Sequence, residues 1–340
     1  MSTLATDQPT PSAAGSAGVT GLASQPPTAS TGPVTARVTA PVTAPQVADP
    51  TPPLGVPHRG RAVTDTLARI IMWGSFALAM VPLAWILWTV ASKGAHLLGD
   101  LTWWTGNQRN INSGDAGGGA RHAIEGTLIQ AAATAAIAVP IGILTAVYLV
   151  EYGRGVLARV ISFTVDILSG VPSIVAALFI YAAWVTTFGF DRNGFAVSLA
   201  LVLLMIPVVV RSTEEMLRLV PTELREAAYA LGVPKWATVV RVVLRTAFSG
   251  IITGVLLGLA RIMGETAPLL ILGPYTKNFQ RDLWDGNMAT LPTMINQDRG
   301  DFALASAAER MWGAAATLIL LILLLNLIGR VIAHVGSAKS

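Results

Sequence analysis

The sequence predicts an all-α membrane protein with six transmembrane helices and a disordered N-terminal tail. Hydrophobic residues make up 53% of the 340 residues and charged residues only 12%, against roughly a quarter charged in soluble domains. Long uncharged apolar runs recur beyond the tail, and a helix needs about 20 such residues to cross a hydrocarbon core about 30 Å thick. The chain has no cysteine, which excludes disulfides, thiolate catalysis and Cys-ligated metals.

Residues 1–66 are predicted to form a disordered cytoplasmic tail. They consist mainly of Thr, Ala, Pro, Ser, Gly and Val, a composition that buries too little apolar surface to fold. No charged region followed by an apolar core marks a cleaved secretory signal. The tail is interpreted as a solvated extension, with a partner-recruiting arm as the alternative. A second short tail is predicted at residues 336–340.

Six apolar runs are predicted to cross the membrane. Helices are expected because the runs are too long and too uniformly apolar for barrel strands, and because lipid requires each backbone group to be satisfied within the segment. Residues 67–117 hold the first span and an external loop, and residues 118–335 hold the other five spans. A shorter stretch, residues 156–165, is expected to lie partly at the interface. The predicted spans cover residues 70–91, 123–150, 166–188, 195–210, 250–272 and 311–335.

Four prolines lie in or beside these spans. Proline removes a backbone donor, so each is expected to kink its helix and open polar space. They are Pro140, Pro172, Pro207 and Pro268.

The distribution of Lys and Arg predicts the orientation in the membrane. Basic residues are enriched in short cytoplasmic loops. If the tail is cytoplasmic, that side carries most of the basic residues, including Arg154, Arg218, Arg241 and Arg245. The protein is therefore predicted to be a multi-pass protein of the plasma membrane with both termini in the cytoplasm.

The segment at residues 221–245 is predicted to form two helices on the cytoplasmic side. Pro221 suits the first turn of a helix, and Glu223 favours its positive end. Gly232 and Pro234 are expected to end this helix, and a second helix begins at about Lys235.

The first of these two helices is a candidate docking element. It carries Glu226, and its small residues Ala227 and Ala228 allow close approach to a groove in another protein. The alternative is an ordinary amphipathic helix at the membrane interface.

A charged pair is predicted inside the fifth span. A charge at the bilayer centre costs roughly 2.5–3.5 kcal/mol on the insertion scale and marks a functional site by default. Arg261 and Glu265, four residues apart, are expected to share a helix face that lines a solute path together with Thr266. Arg suits phosphate or sulfate oxygens, because its planar guanidinium donates parallel hydrogen bonds. The alternative is a buried ion pair that fixes helix packing.

A third candidate set lies at the end of the fourth span. Arg211 and Glu215 are expected to pair at i,i+4, with Glu214 beside them. These three residues are interpreted either as an inner gate or exit contact for the solute, or as a solvated helix end.

Residues 118–335 resemble the membrane subunits of type I ABC importers, which have the MetI-like fold, and among them the PstA family of phosphate ABC transporter permeases. Glu226, Ala227, Ala228 and Gly232 match the EAA loop of such permeases. The GETAPLL stretch separates this family from the PstC permeases, which typically have Met and Ala after Glu-Thr. The supporting strings are GTLIQAAATAAIAVPIGILTAVYLVEY from Gly126, LSGVPSIVAALF from Leu168, RSTEEMLRLVPTELREAAYALGVPKW from Arg211 and GLARIMGETAPLL from Gly258.

The resemblance implies an ATP-driven importer that carries inorganic phosphate into the cytoplasm. The implied partners are a PstC-like permease, a dimer of PstB-like ATPases that bind ATP and Mg, an extracytoplasmic phosphate-binding protein and membrane lipid, with no nucleic acid. Arg261 takes the place of the family's intramembrane arginine linked to phosphate transport, and Glu265 that of the family's glutamate. The EAA-like residues would contact the ATPase. The chain has no Gly-x4-Gly-Lys-Ser/Thr phosphate loop, so it is expected to be a transport subunit with no catalytic residues, cofactor or metal of its own.

One departure from the family affects the second helix of the segment. Relatives usually have Ile-x-Leu-Pro there, whereas this chain has Val242 and Leu244 followed by Arg245. The helix is therefore expected to continue where relatives kink.

Other functions remain open. A permease of the same fold could import another oxyanion, sulfate or molybdate, and the difference would lie in the residues of the path. A channel or ion-coupled transporter would work without an ATPase, which leaves the EAA-like segment unexplained. A membrane subunit that serves only in interactions gives no reason to place Arg261 in lipid.

Overall fold

The computed structural model describes residues 59–337, and within that range the chain forms helices and loops without a strand. The predicted tails fall largely on residues 1–58 and 338–340, which lie outside the described residues. The helices are α1 Arg59–Leu98, α2 Leu101–Thr105, α3 Arg121–Tyr152, α4 Gly155–Gly170, α5 Ser173–Thr187, α6 Gly194–Arg218, α7 Thr222–Ala230, α8 Lys235–Met263, α9 Ala267–Leu272, α10 Leu291–Gly300 and α11 Ala305–Ser337.

The helices α1, α3, α6, α8 and α11 are each long and apolar enough to cross a membrane, and the pair α4–α5 makes a sixth span if it is counted as one. The all-α membrane fold with up to six spans is therefore confirmed. The predicted first, second, fourth and sixth spans fall within α1, α3, α6 and α11. α8 continues without a break past Arg245. This was expected, because the arginine stands where relatives usually have proline.

The predicted third span, residues 166–188, is not one helix. α4 ends at Gly170, α5 begins at Ser173, and the two helices are bent by 108°. Val171 is extended, with φ −69° and ψ 126°, because a residue before proline is disfavoured in the helical region and Pro172 follows. The true boundary is therefore at 171–172, and the stretch predicted at the interface belongs to α4.

The predicted fifth span, residues 250–272, is also broken. α8 ends at Met263 and α9 begins at Ala267. Gly264 caps the first helix, and Pro268 occupies the first turn of the next, where its missing N–H costs no helical bond. The break leaves Glu265 and Thr266 outside regular helix, where hydropathy alone predicts a continuous span.

The body of the protein is built around α6. α3 and α8 pack along it, and α11 packs against α8. Met205, Val209 and Ala138 lie in a buried cluster between these helices. The end of the bundle that carries α7 is called the α7 end, and the opposite end, which carries α10, is called the α10 end.

α1 contacts this body only near its C-terminal end. Every residue from 66 to 88 is exposed, whereas Val90 and Gly94 are buried. Gly94 lies so close to α11 that an added Cβ would stand 2.2 Å from the Trp312 carbonyl oxygen.

Buried polar contacts hold the loop at residues 107–119 at the α10 end. The Arg310 guanidinium donates to the Asp115 carbonyl at 2.7 Å and to the Ser113 carbonyl at 2.9 Å. Arg310 Nε lies 3.7 Å from Asp298 Oδ1. Burial raises the pKa of Asp298, and the nearby Arg310 opposes that rise. These contacts give a loop rich in Gly and Asn a fixed backbone.

We expect Gly126→Ala to destabilise the protein, because a Cβ at this buried position would stand 1.9 Å from the Ala289 carbonyl oxygen. The clash would force α3 away from the segment before α10, at a cost of about 1–3 kcal/mol. Gly74→Ala on exposed α1 is the matched control, since a Cβ there meets open space. Thermal unfolding in detergent should show a lower midpoint for Gly126→Ala only. Equal midpoints for both variants would contradict the described packing.

Candidate functional site

The segment at residues 221–245 folds as the sequence predicts. α7 follows Pro221, Gly232 takes the positive φ of 75° that glycine favours, and α8 begins at Lys235. Glu226 and Ala227 are exposed, and Ala228 is buried. Within the described part of the chain, the Glu226 carboxylate has no hydrogen-bonding or ionic partner. Of the residues predicted to contact an ATPase, Glu226 and Ala227 are therefore open, whereas Ala228 packs inside the protein.

The break between α8 and α9 carries the second predicted set. Arg261 lies in the last turn of α8 and is exposed, Glu265 is half-buried, and Thr266 is exposed. Among the described residues, Arg261 and Glu265 make no ion pair with each other or with any other group. The shared helix face is wrong, because the helix ends two residues before Glu265, and the alternative of a buried ion pair does not hold in the structure either.

The backbone at this break is partly satisfied by tight turns. Gly264 N donates to Arg261 O and Glu265 N donates to Ile262 O, both at 3.2 Å. Such i→i+3 bonds tighten the last turn of a helix. The result is an exposed guanidinium at Arg261 and a half-buried carboxylate at Glu265, neither of which has an ionic partner among the described residues.

A small cavity of about 10 Å³ adjoins the same break. Its lining includes Ile262 and Met263, from the end of α8, and Gln130 from α3. The Gln130 side chain is 2% exposed, and neither of its amide atoms bonds to a protein group. A buried amide in this position is unusual, because most buried polar atoms have a partner.

The ion pairs of the third candidate set, Arg211, Glu214 and Glu215, differ from the predicted ones. Arg211 donates to Glu214 Oε2 at 2.6 Å and to Ser162 Oγ at 3.0 Å, and it also bonds to Asp166. Glu215 is exposed and takes no part in these contacts. The expected Arg211–Glu215 pair is therefore wrong. Contacts with α4, far away in sequence, decide which carboxylate the arginine selects.

The structure draws attention to two further residues that the sequence did not identify as candidates. Gln130 is a polar residue within an apolar run, which is the available signal for it. Glu151 stands at the boundary of the second span, where a charge is ordinary, so nothing in the sequence marks its buried contact with Arg225.

The described residues offer no cluster of three or more His, Asp or Glu side chains suited to a metal ion. Arg261 at the α8–α9 break and Glu226 on α7 have no ionic partner among the described residues.

Comparisons with known proteins agree on the family of this chain. The family model described as binding-protein-dependent transport system inner membrane component matches residues 138–335. The phosphate transport system permease protein PstA 1 of Mycobacterium tuberculosis (strain CDC 1551 / Oshkosh) is 49% identical over 284 residues, which cover 82% of this chain and 91% of the relative. The PstA protein of Mycobacterium leprae (strain TN) is 52% identical over 269 residues, covering 79% and 88%.

Solved structures show the same fold at low identity. A chain of a bacterial ABC transporter involved in the import of the acidic polysaccharide alginate matches with a TM-score of 0.51 and 13% identity, over 80% of this chain and 98% of that one. A chain of the MetNI methionine ABC transporter in an inward-facing conformation matches with a TM-score of 0.50 and 21% identity, over 64% and 94%.

We expect Glu214→Gln to lower stability and Glu215→Gln to leave it unchanged. Glu214 is almost fully buried and accepts hydrogen bonds from both Arg211 and Arg218. Loss of its charge leaves those bonds weakened, at a cost of about 1–3 kcal/mol. The midpoint of thermal unfolding in detergent measures the difference. Equal midpoints for the two variants would mean that the pairing described here does not hold in solution.

Proposed function

The chain belongs to the PstA family of phosphate transport permeases, within the binding-protein-dependent inner membrane components, and we propose that it is the permease subunit of an ATP-driven importer of inorganic phosphate. The identity to PstA relatives over most of both chains carries the proposal. The helical fold and the open α7 face support it.

The proposed assembly contains a PstC-like permease, a dimer of PstB-like ATPases and an extracytoplasmic phosphate-binding protein. ATP and Mg would bind to the ATPase subunits. The α7 end would face the cytoplasm, with both termini on that side, because the loops there carry most of the basic residues. Exposed Glu226 and Ala227, with Gly232 at the turn, would contact the ATPase.

Phosphate would pass the break between α8 and α9. The Arg261 guanidinium has no partner within the described chain, so its parallel donors are available to phosphate oxygens. Glu265 would accept a hydrogen bond from the P–OH group of hydrogen phosphate, a donor that fully ionised sulfate lacks, and Thr266 adds a hydroxyl at the same break. A role for Arg211, Glu214 and Glu215 on the inner part of the path stays a prediction.

Replacing Arg261 by Gln is expected to lower ATP-dependent phosphate uptake about tenfold to a hundredfold, which corresponds to losing a charge-assisted hydrogen bond of about 1.5–3 kcal/mol. Uptake of radiolabelled phosphate by liposomes that contain the reconstituted complex measures this. Arg330→Gln is the matched control, because Arg330 is an exposed arginine in α11, away from the break. Normal uptake with Arg261→Gln in an assembled, ATP-hydrolysing complex would remove Arg261 from the path. A wild-type complex that moved sulfate or molybdate in place of phosphate would overturn the assignment of substrate.

Glu265→Gln is expected to weaken the preference for phosphate over sulfate. The neutral amide no longer repels the fully ionised anion, so sulfate should compete more strongly for uptake. Glu265→Asp keeps the charge and serves as the control. If competition by sulfate is the same for wild type and both variants, Glu265 does not select the anion.

A further inference from the structure

Arg225 connects α7 to two spans. It directly precedes Glu226, yet its side chain lies on the inner side of α7. Its Nε and Nη2 atoms donate to Glu151 Oε1 at 3.1 and 3.0 Å. Nη1 also donates to Val220 O at 2.6 Å, and Nη2 donates to Leu217 O at 2.9 Å. One side chain therefore holds the end of α3 and the end of α6 together.

The Arg225–Glu151 pair is shielded from water. The Arg225 side chain is 15% exposed and the Glu151 side chain 6%. Ion pairs at an open surface contribute little, but a buried pair is strongly disrupted when one partner is removed. The two carbonyl groups that Arg225 also binds lie at and just beyond the end of α6, so one guanidinium supplies donors to a carboxylate and to two backbone oxygens. The geometry is therefore specific to arginine at this position.

Glu151 is held from both sides of the turn at Gly232. Arg225 reaches its carboxylate from α7, and Lys235 Nζ, in the first turn of α8, donates to its backbone carbonyl. The Lys235 ammonium also lies 4.7 Å from the centre of the Tyr152 ring. Both arms of the segment at residues 221–245 therefore bind to the last turn of α3.

α3 leads from this contact to the break that carries Arg261. It runs from Glu151 at the α7 end to Gln130, whose side chain lines the cavity beside Ile262 and Met263. α3 also packs along α6 over much of its length. A displacement of the last turn of α3 thus reaches the residues next to the break through packed helix, and packed interiors transmit strain.

We propose that the Arg225–Glu151 pair is the link that transmits motion of α7 to α3, so that ATP hydrolysis moves solute only while the pair is intact. This inference rests on the proposed function, since it assumes an ATPase docked on the exposed face of α7. Arg225 and Glu151 are positioning residues: they do not contact the solute, and they set how far α3 follows α7.

Arg225→Gln tests the link in the complete complex reconstituted in liposomes. The variant should hydrolyse ATP at close to the wild-type rate, while phosphate moved per ATP falls about tenfold, the change expected for one charge-assisted hydrogen bond. Arg159→Gln is the matched control, because Arg159 is an exposed arginine of α4 without an ionic partner among the described residues. An unchanged ratio of phosphate to ATP in Arg225→Gln would overturn the proposal.

The absence of cysteine from the chain allows a second test that does not depend on charge. In the double variant Arg225→Cys with Glu151→Cys, a bifunctional thiol reagent about as long as the two lost side chains should restore phosphate moved per ATP. The single variant Arg225→Cys, treated in the same way, should stay uncoupled. If cross-linking restores only assembly or stability and leaves the ratio low, the pair is structural and the proposal fails.

The substrate and the link can be judged separately. If the wild-type complex transports another oxyanion, the proposed substrate is wrong, and the ratio of that anion to ATP measures the link. If wild type transports phosphate and the cross-linked variant stays uncoupled, the link alone is wrong.

Discussion

The constraint on which the structure depends is that hydrocarbon offers no hydrogen bonds to the backbone. It forces helix through every span and permits an interruption only where protein covers the exposed groups. The described part of the chain has two such interruptions, at residues 171–172 and 264–266. At the second one, turns satisfy the amides of Gly264 and Glu265. The same break frees a guanidinium and a carboxylate from helical geometry, so the place where the helix is interrupted is also where charge is available.

Hydropathy and turn residues predict much of this fold. Four of the six spans fall within single helices, and the helix–Gly–Pro–helix pattern of residues 221–245 is correct, because those features depend on local sequence. Proline alone does not predict where a span breaks. Pro140 and Pro207 remain inside α3 and α6, whereas Pro172 and Pro268 stand at breaks. Whether a proline stays inside a helix or marks a break depends on the groups that pack over the backbone around it. The local sequence does not specify those groups.

Local sequence does not predict the ion pairs either. Spacing predicted a pair between Arg211 and Glu215 and allowed one between Arg261 and Glu265, yet Arg211 bonds to Glu214 and Asp166. Charges that pair within the described chain lie at both ends of the bundle, for example Arg211 with Glu214 at the α7 end and Arg310 with Asp298 at the α10 end. Arg261 and Glu226 have no ionic partner among the described residues. Which charges are paired therefore follows from tertiary contacts rather than from residue type.

α1 is longer than the hydrocarbon core of a bilayer is thick. Its span Val63–Leu98 has 36 residues, which at 1.5 Å per residue is about 54 Å, against a hydrocarbon core of about 30 Å. The helix must therefore tilt or extend beyond the hydrocarbon core, and tilting is one way in which such mismatch is relieved. The fixed part of α1 lies at the α10 end, where Gly94 meets α11 and His96 bonds to Glu309 at 2.7 Å. α1 is thus held near one end, and the tilt of its exposed part depends on the helices and lipid that surround it in the membrane.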